Sequence, residues 1–103
     1  MSNKATQGLK QLRAIGHKLR PVVTIAGNGL SEGVVNEIDR ALQDHELIKI
    51  KLVVGEKAAR MAVAKELCAQ TKSELVHSIG DVILVLRRSK KPDPKLSNLI
   101  RRV

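Results

Sequence analysis

The segment LIKIKLV, residues 47–53, alternates aliphatic and lysine side chains. A period of two is typical of a β-strand that has one buried face and one face in water. We therefore expect helices to cover only one face of the sheet at this strand. The buried face would carry Ile48, Ile50 and Leu52, and the wet face Lys49 and Lys51.

Helical spacing of apolar residues appears on both sides of this strand. A first helix is predicted with Thr6 as its N-cap and with Gly16 and Pro21 at its end. A second helix runs from the N-cap Ser31 to about His45, and a third, after Gly55, ends near residue 70. The apolar positions of the three helices are Leu9, Leu12, Ile15 and Leu19; Val34, Ile38, Ala41 and Leu42; and Ala59, Ala62, Val63 and Leu67.

Three further strands are predicted, over residues 22–25, 75–79 and 82–87, and Gly80-Asp81 is a two-residue hairpin signal. The order is therefore α-β-α-β-α-β-β, an α/β domain. Its two strand-helix-strand units imply parallel pairs with right-handed crossovers, and the hairpin adds an antiparallel pair. The result is a four-stranded mixed sheet. Arg87 shares the parity of Val85 and Ile83, so we expect it on the uncovered face with Lys49 and Lys51, although these three cations also suit the solvated ends of strands.

Charge is concentrated at the two ends of the chain. The 103 residues hold 19 basic and 10 acidic side chains, a net charge of +9. Residues 1–20 have five basic and no acidic groups, and residues 87–103 have seven basic and one acidic group. This pattern suits a polyanion held by the termini, with solubility alone as the other interpretation. The chain has no Phe, Tyr or Trp, which removes the usual base-stacking groups and the aromatic anchors of a membrane surface.

The length predicts one domain, which we divide into residues 1–88 and a basic tail, 89–103, that is extended or mobile. A single cysteine, Cys68, fits a reducing cytoplasm. The chain has no leading apolar segment of a secretory signal and no run long enough to span a membrane. His17, His45 and His77 match no metal-ligand spacing with that cysteine, and no acid-base constellation is visible. We therefore expect no cofactor, no metal and no enzymatic activity.

The loop Ala26-Gly27-Asn28-Gly29 joins the first strand to the cap of the second helix. Glycines accept positive φ and let a ligand approach the backbone, and a helix N-terminus attracts anions. Together these features suit an RNA phosphate, although many such turns use Gly and Asn for geometry alone. Glu32 counts against an anion here, because its carboxylate already lies in the first helical turn.

Several blocks together resemble the CRM domain, and more closely the stand-alone bacterial YhbY-type RNA-binding proteins. They are HKLRPVV, the glycine loop, LSEGVVNEIDRALQDHELIKIKL and IGDVILVLRR, within residues 6–88. The resemblance implies a fold similar to the C-terminal domain of bacterial translation initiation factor three. It also implies RNA binding through a GxxG loop and association with precursors of the large ribosomal subunit; plant relatives act in organelle intron splicing.

The chain departs from the GxxG pattern at Ala26, which replaces the first glycine, and the two middle positions lack Lys or Arg. We therefore expect charge to come from other positions, and RNA shape and phosphates to be read more than base identity. The predicted function is RNA binding in large-subunit assembly, by a cytoplasmic monomer without a membrane partner. The predicted RNA-binding residues are Lys18, Arg20, Ala26, Gly27, Asn28, Gly29, Leu30, Lys49, Lys51, Arg87 and Arg88.

A protein-docking module is the alternative. In that hypothesis the acidic second helix binds a ribosomal or translation protein, and the basic ends only aid solubility. The helix would present its carboxylates on a polar side opposite the core. These carboxylates are Glu37, Asp39, Asp44 and Glu46.

Overall fold

Three helices and four strands follow one another in the predicted order, and a computed structural model describes residues 8–27 and 29–100. The elements are α1 (Leu9–His17), β1 (Pro21–Ile25), α2 (Glu32–His45), β2 (Leu47–Leu52), α3 (Lys57–Thr71), β3 (Glu74–Ile79) and β4 (Val82–Leu86). The predicted α/β class and the four-stranded mixed sheet are confirmed.

The strands lie in the order β1-β2-β4-β3. Strand β1 pairs with β2 in parallel, whereas β4 pairs with both β2 and β3 in antiparallel fashion. The second predicted parallel pair is therefore wrong, because β4 lies between β2 and β3. Strand β4 is almost wholly buried while β3 is largely exposed, so the more apolar strand takes the interior position and β3 the edge.

The larger core lies between the sheet and helices α2 and α3. It is aliphatic throughout, as a chain without Phe, Tyr or Trp requires. Each such side chain contributes about 1.5–3 kcal/mol when fully buried. The predicted inward residues of β2 all belong to this core. Its fully buried members include Ile25, Ile38, Leu42, Ile48, Ile50, Leu67 and Val85.

A second core on the other face of the sheet contradicts the prediction that helices cover only one face. Leu12 of α1 packs there against Leu47 of β2 and against Leu84 and Leu86 of β4. Leu47 has the same parity as the two lysines of its strand, so this face is apolar at the start of β2 and basic only further along. Helix α1 covers the apolar end.

Gly16 lies inside α1 and does not end the helix, which continues to His17 with Lys18 as its C-cap. A Cβ at Gly16 would be 2.5 Å from a methyl group of Leu84, so the missing side chain lets the helix approach the sheet. Gly8 is the N-cap, and its amide donates to Gln11 Oε1 at 3.1 Å. The predicted cap, Thr6, lies outside the described residues.

The predicted core face of helix α3 is correct in part, because Leu67 lies in the larger core and Val63 packs against it, but the other two predicted positions do not. Ala59 and Ala62 are exposed, while Ala64, Leu67 and Thr71 are buried. Cys68 is half-buried and packs against the core. Burial raises the pKa of its thiol, and the hydrogen bond from Ser73 offsets part of that rise. A thiol that stays protonated is a weak nucleophile, which agrees with the packing of Cys68 against the core.

The buried carboxylate of Glu46 holds residues 89–100 against the domain. Glu46 is only 3% exposed, takes φ = 65°, and accepts hydrogen bonds from Ser97 Oγ at 2.6 Å and from the Ser89 amide. Asn98 Nδ2 also donates to the Leu47 carbonyl at 2.7 Å. The prediction that Glu46 lies on a solvated side of α2 is therefore wrong, and residues 89–100 of the basic tail pack against the domain where an extended tail was one of the two expectations. The domain boundary at residue 88 stays a prediction.

Within the described residues, no helix is both long and apolar enough to cross a membrane.

We predict that Glu46→Gln lowers the free energy of unfolding by about 1–3 kcal/mol, because the amide offers one acceptor oxygen where the carboxylate offers two to buried donors. Urea denaturation measures this change. Glu37→Gln is the matched control, since Glu37 is exposed on the same helix. Equal effects of the two substitutions would contradict the role given to Glu46.

Candidate nucleic-acid interface

The loop between β1 and α2, residues 26–30, is anchored at both ends. Before it, the carbonyl of the fully buried Ile25 accepts the Val53 amide at 2.8 Å, and after it Leu30 packs against the larger core. Leu30, a predicted RNA-binding residue, therefore fixes the loop from within.

Between these anchors the backbone turns tightly. The Gly29 amide donates to the Ala26 carbonyl at 2.9 Å, and Gly29 takes φ = +77°. Residues with a side chain rarely adopt that conformation, so Gly29 is required by the geometry. Ala26 has no positive φ, which means that its replacement of the first glycine costs no backbone strain. Asn28 lies outside the described residues.

The loop is open to solvent at Ala26 and Gly27. Ala26 and Gly27 are exposed, and a Cβ built on either Gly27 or Gly29 would meet nothing within 4 Å. The turn therefore leaves room for a ligand to reach the backbone.

Helix α2 begins directly after this turn, as predicted. Ser31 Oγ accepts the Val34 amide at 3.2 Å, the capping bond expected from the sequence. Gly33, in the first turn of α2, is exposed, a Cβ built on it would meet nothing within 4 Å, and no acceptor for its amide is found among the described loop and cap hydrogen bonds. Glu32 lies beside it, so the first turn offers both an amide donor and a carboxylate.

Lys51 is the predicted cation nearest the loop along the sheet. It pairs with Thr24, one residue before the end of β1, whereas Lys49 pairs with Pro21 at the start of that strand. Both lysines lie on the α1 side of the sheet, Lys51 exposed and Lys49 half-buried.

Lys18 and Arg20 are exposed but lie before β1, at the end of the strand opposite the loop. Five residues of strand separate the two ends by about 17 Å. The predicted cations are thus divided between the two ends of the sheet.

Arg87 does not share a face with Lys49 and Lys51, contrary to prediction. Its guanidinium points toward α2 and α3, where Nη1 lies 2.6 Å from Asp39 Oδ1 and 2.9 Å from the Thr71 carbonyl. Nη2 donates to the Asp39 carbonyl at 3.0 Å. The parity with Val85 was correct, but the face of Val85 is the covered one. Arg88 follows at the same end of the sheet, is exposed, and has a partner within the protein.

Two cations near the loop were missed from the sequence. Lys57 begins α3, and Arg60 follows in its first turn, donating to the Gly55 carbonyl at 2.8 Å. The signal was available: α3 starts just after β2, and β2 runs parallel to β1, so the two helix starts lie at the same edge of the sheet. No group of three or more metal-binding side chains occurs in residues 8–27 and 29–100.

Comparison with known proteins decides the family. The domain described as CRS1 / YhbY (CRM) matches residues 5–87, four-fifths of the chain. The chain belongs to the CRS1/YhbY (CRM) family. The match includes β1, the loop and α2, the elements that build the candidate interface.

Relatives of this CRM domain are similar over most of their length. "Probable RNA-binding protein PA4753" of Pseudomonas aeruginosa is 54% identical over 92 residues, which cover 89% of this chain and 88% of the relative. The "RNA-binding protein" of Haemophilus influenzae is 35% identical over 91 residues, covering 88% and 92%. The solution structure of SAV1595 from Staphylococcus aureus superposes with a TM-score of 0.73 at 32% identity, covering 81% of this chain and 86% of that one.

We predict that Arg87→Ala destabilises the CRM domain by about 1–2 kcal/mol, because it leaves the Asp39 carboxylate without its cation and the Thr71 carbonyl without a donor. Urea denaturation again provides the measurement. Arg40→Ala removes an exposed arginine of α2 that has no described partner, and it should change stability by less than about 0.5 kcal/mol. Similar losses for both variants would show that the Arg87 contacts do not stabilise the fold.

Proposed function

We propose that this CRM domain binds RNA and acts, without catalysing a reaction, on precursors of the large ribosomal subunit. The observation that carries the proposal is the open turn at residues 26–29, which joins an anchored strand to a capped helix. The names of the relatives support an RNA ligand, and the resemblance to YhbY-type proteins supports the ribosomal precursor.

In this mechanism the loop seats backbone phosphates. Unobstructed glycine backbone lets a phosphate approach closely, and the Gly33 amide at the start of α2 offers a hydrogen bond there. Lys51 and Lys57 supply charge at the same edge of the sheet. Phosphate contacts of this kind position a strand and carry no base identity.

Glu32 limits how strongly the helix start can attract an anion. Its carboxylate interacts favourably with the helix dipole and repels a nearby phosphate. The attraction of Lys51 and Lys57 for phosphate must therefore exceed the repulsion by Glu32. RNA affinity consequently depends strongly on the protein's positive charge. Lys18 and Arg20 lie at the opposite end of β1, where they would bind an RNA strand that runs the length of β1.

The docking alternative loses part of its basis. Of the four carboxylates assigned to that surface, Asp39 binds Arg87 and Glu46 is buried under residues 89–97. Glu37 and Asp44 remain on the surface of α2, Glu37 exposed and Asp44 half-buried. A protein partner that co-purifies after nuclease treatment would favour docking.

The affinity of the protein for RNA should fall as the salt concentration rises. If about six phosphates are neutralised, log affinity for single-stranded RNA should fall against log salt with a slope near −4. Fluorescence anisotropy of a labelled U12 oligonucleotide across a salt series measures this slope. A flat response would contradict electrostatic binding.

A second prediction concerns the loop. Gly29→Val should weaken U12 binding by about tenfold, because the side chain blocks the approach and its φ is strained by roughly 1–2 kcal/mol. Lys65→Ala, an exposed charge removal within α3, is the control and should have a smaller effect. Circular dichroism establishes that both variants are folded. Equal affinities of the two variants would mean that the loop is only a turn.

A further inference from the structure

A groove separates α1 from the part of the sheet that the helix does not cover. Its volume is about 510 Å³, within the range of about 300–1,000 Å³ of small-ligand sites. Its ten lining residues include three cations and no carboxylate. They are Lys10, Arg13, Ala14, His17, Lys49, His77, Ile79, Val82, Ile83 and Leu84.

The floor of the groove is apolar and accessible. Ile79 is 66% exposed, the highest value among the large hydrophobic residues that the structure describes as exposed, and Val82 beside it is half-buried. An apolar floor under a basic rim suits a ligand with a flat apolar part and a negative charge.

Groups that can stack on a base converge in this groove. The chain has no Phe, Tyr or Trp, so only histidine rings and arginine guanidinium planes can provide such a surface. Of the three histidines in the chain, His45 is already hydrogen-bonded, because its Nδ1 lies 2.8 Å from the Leu96 carbonyl oxygen. The other two, His17 and His77, both line the groove, and Arg13 lies one helical turn before His17.

The groove is continuous with the loop across the sheet. Strand register places Thr24 beside Lys51, Lys51 beside Val82, and Val82 beside Ile79. This row begins one residue from the end of β1 and ends on the groove floor. An RNA strand bound at the loop can therefore pass along Lys51 into the groove.

We propose that this groove holds an unpaired RNA base, with the ring stacked on Arg13 and His77 and the adjoining phosphates held by Lys10 and Lys49. The inference rests on the proposed function, RNA binding, and adds a site that recognises the base as well as the backbone. It differs from the expectation that a chain without aromatic residues reads RNA shape and phosphates more than the bases. An acidic peptide is the other ligand that would suit a basic groove, but its carboxylates would use only the cations. An RNA base also uses the stacking groups, so the groove fits a base better.

The test compares two probes of equal charge, U12 and an abasic ribose-phosphate 12-mer. The wild-type protein should bind U12 at least about fivefold more tightly, since stacking of one base is worth roughly that factor or more. Arg13→Lys keeps the charge and removes the planar surface, so it should reduce this ratio toward one while affinity for the abasic probe changes less than twofold. Arg40→Lys, on the distant helix α2, should leave both affinities unchanged.

His77→Ala provides a second variant. It too should lower the ratio of U12 affinity to abasic-probe affinity without changing the affinity for the abasic probe. Arg13 is exposed, so its substitution keeps the test decisive even if the strand variant does not fold. Equal wild-type affinities for the two probes, the result expected of a groove that takes a peptide or contributes charge only, would overturn the inference and leave RNA binding standing. Failure of the wild-type protein to bind either probe would overturn the proposed function itself.

Discussion

The position of β2 is the constraint on which the rest of the structure depends. Its alternate residues enter two different cores: Ile48 and Ile50 pack under α2 and α3, while Leu47 packs under α1. Its hydrogen bonds to β1 fix where that strand ends, and therefore where the glycine turn begins. The same alternation leaves Lys49 and Lys51 on the half of the α1 face that the helix does not reach. One strand thus sets the core, the loop and the basic surface together.

Periodicity predicted the order and type of every element, because hydrophobic spacing reports which residues of a helix or strand face a core. It could not report which strands are neighbours, so the insertion of β4 beside β2 was missed. The same gap misplaced Arg87, whose parity was correct but whose face depends on which side the helices cover. Glu46 was missed for a different reason: its partners, Ser89 and Ser97, lie more than 40 residues away and no local pattern joins them.

The candidate site was predicted in part for similar reasons. The turn and its cap are local, so Gly29 and Ser31 could be assigned from sequence and are found in those geometries. The charged residues around them belong to several elements, and the structure divides those cations between two ends of the sheet. The net charge of the termini therefore indicated a polyanion without locating it. The groove beside α1 brings together three cations and two histidines that no linear motif joins.

Nuclear magnetic resonance most directly tests the claim that RNA is held against the turn and the adjoining basic face. Unlabelled U12 is titrated into the ¹⁵N-labelled protein, and the amide shifts are followed residue by residue. We expect the largest shift changes over residues 26–33 and 49–51. Changes confined to the exposed acidic side of α2 around Glu37 and Asp44, with the loop amides unmoved, would contradict it.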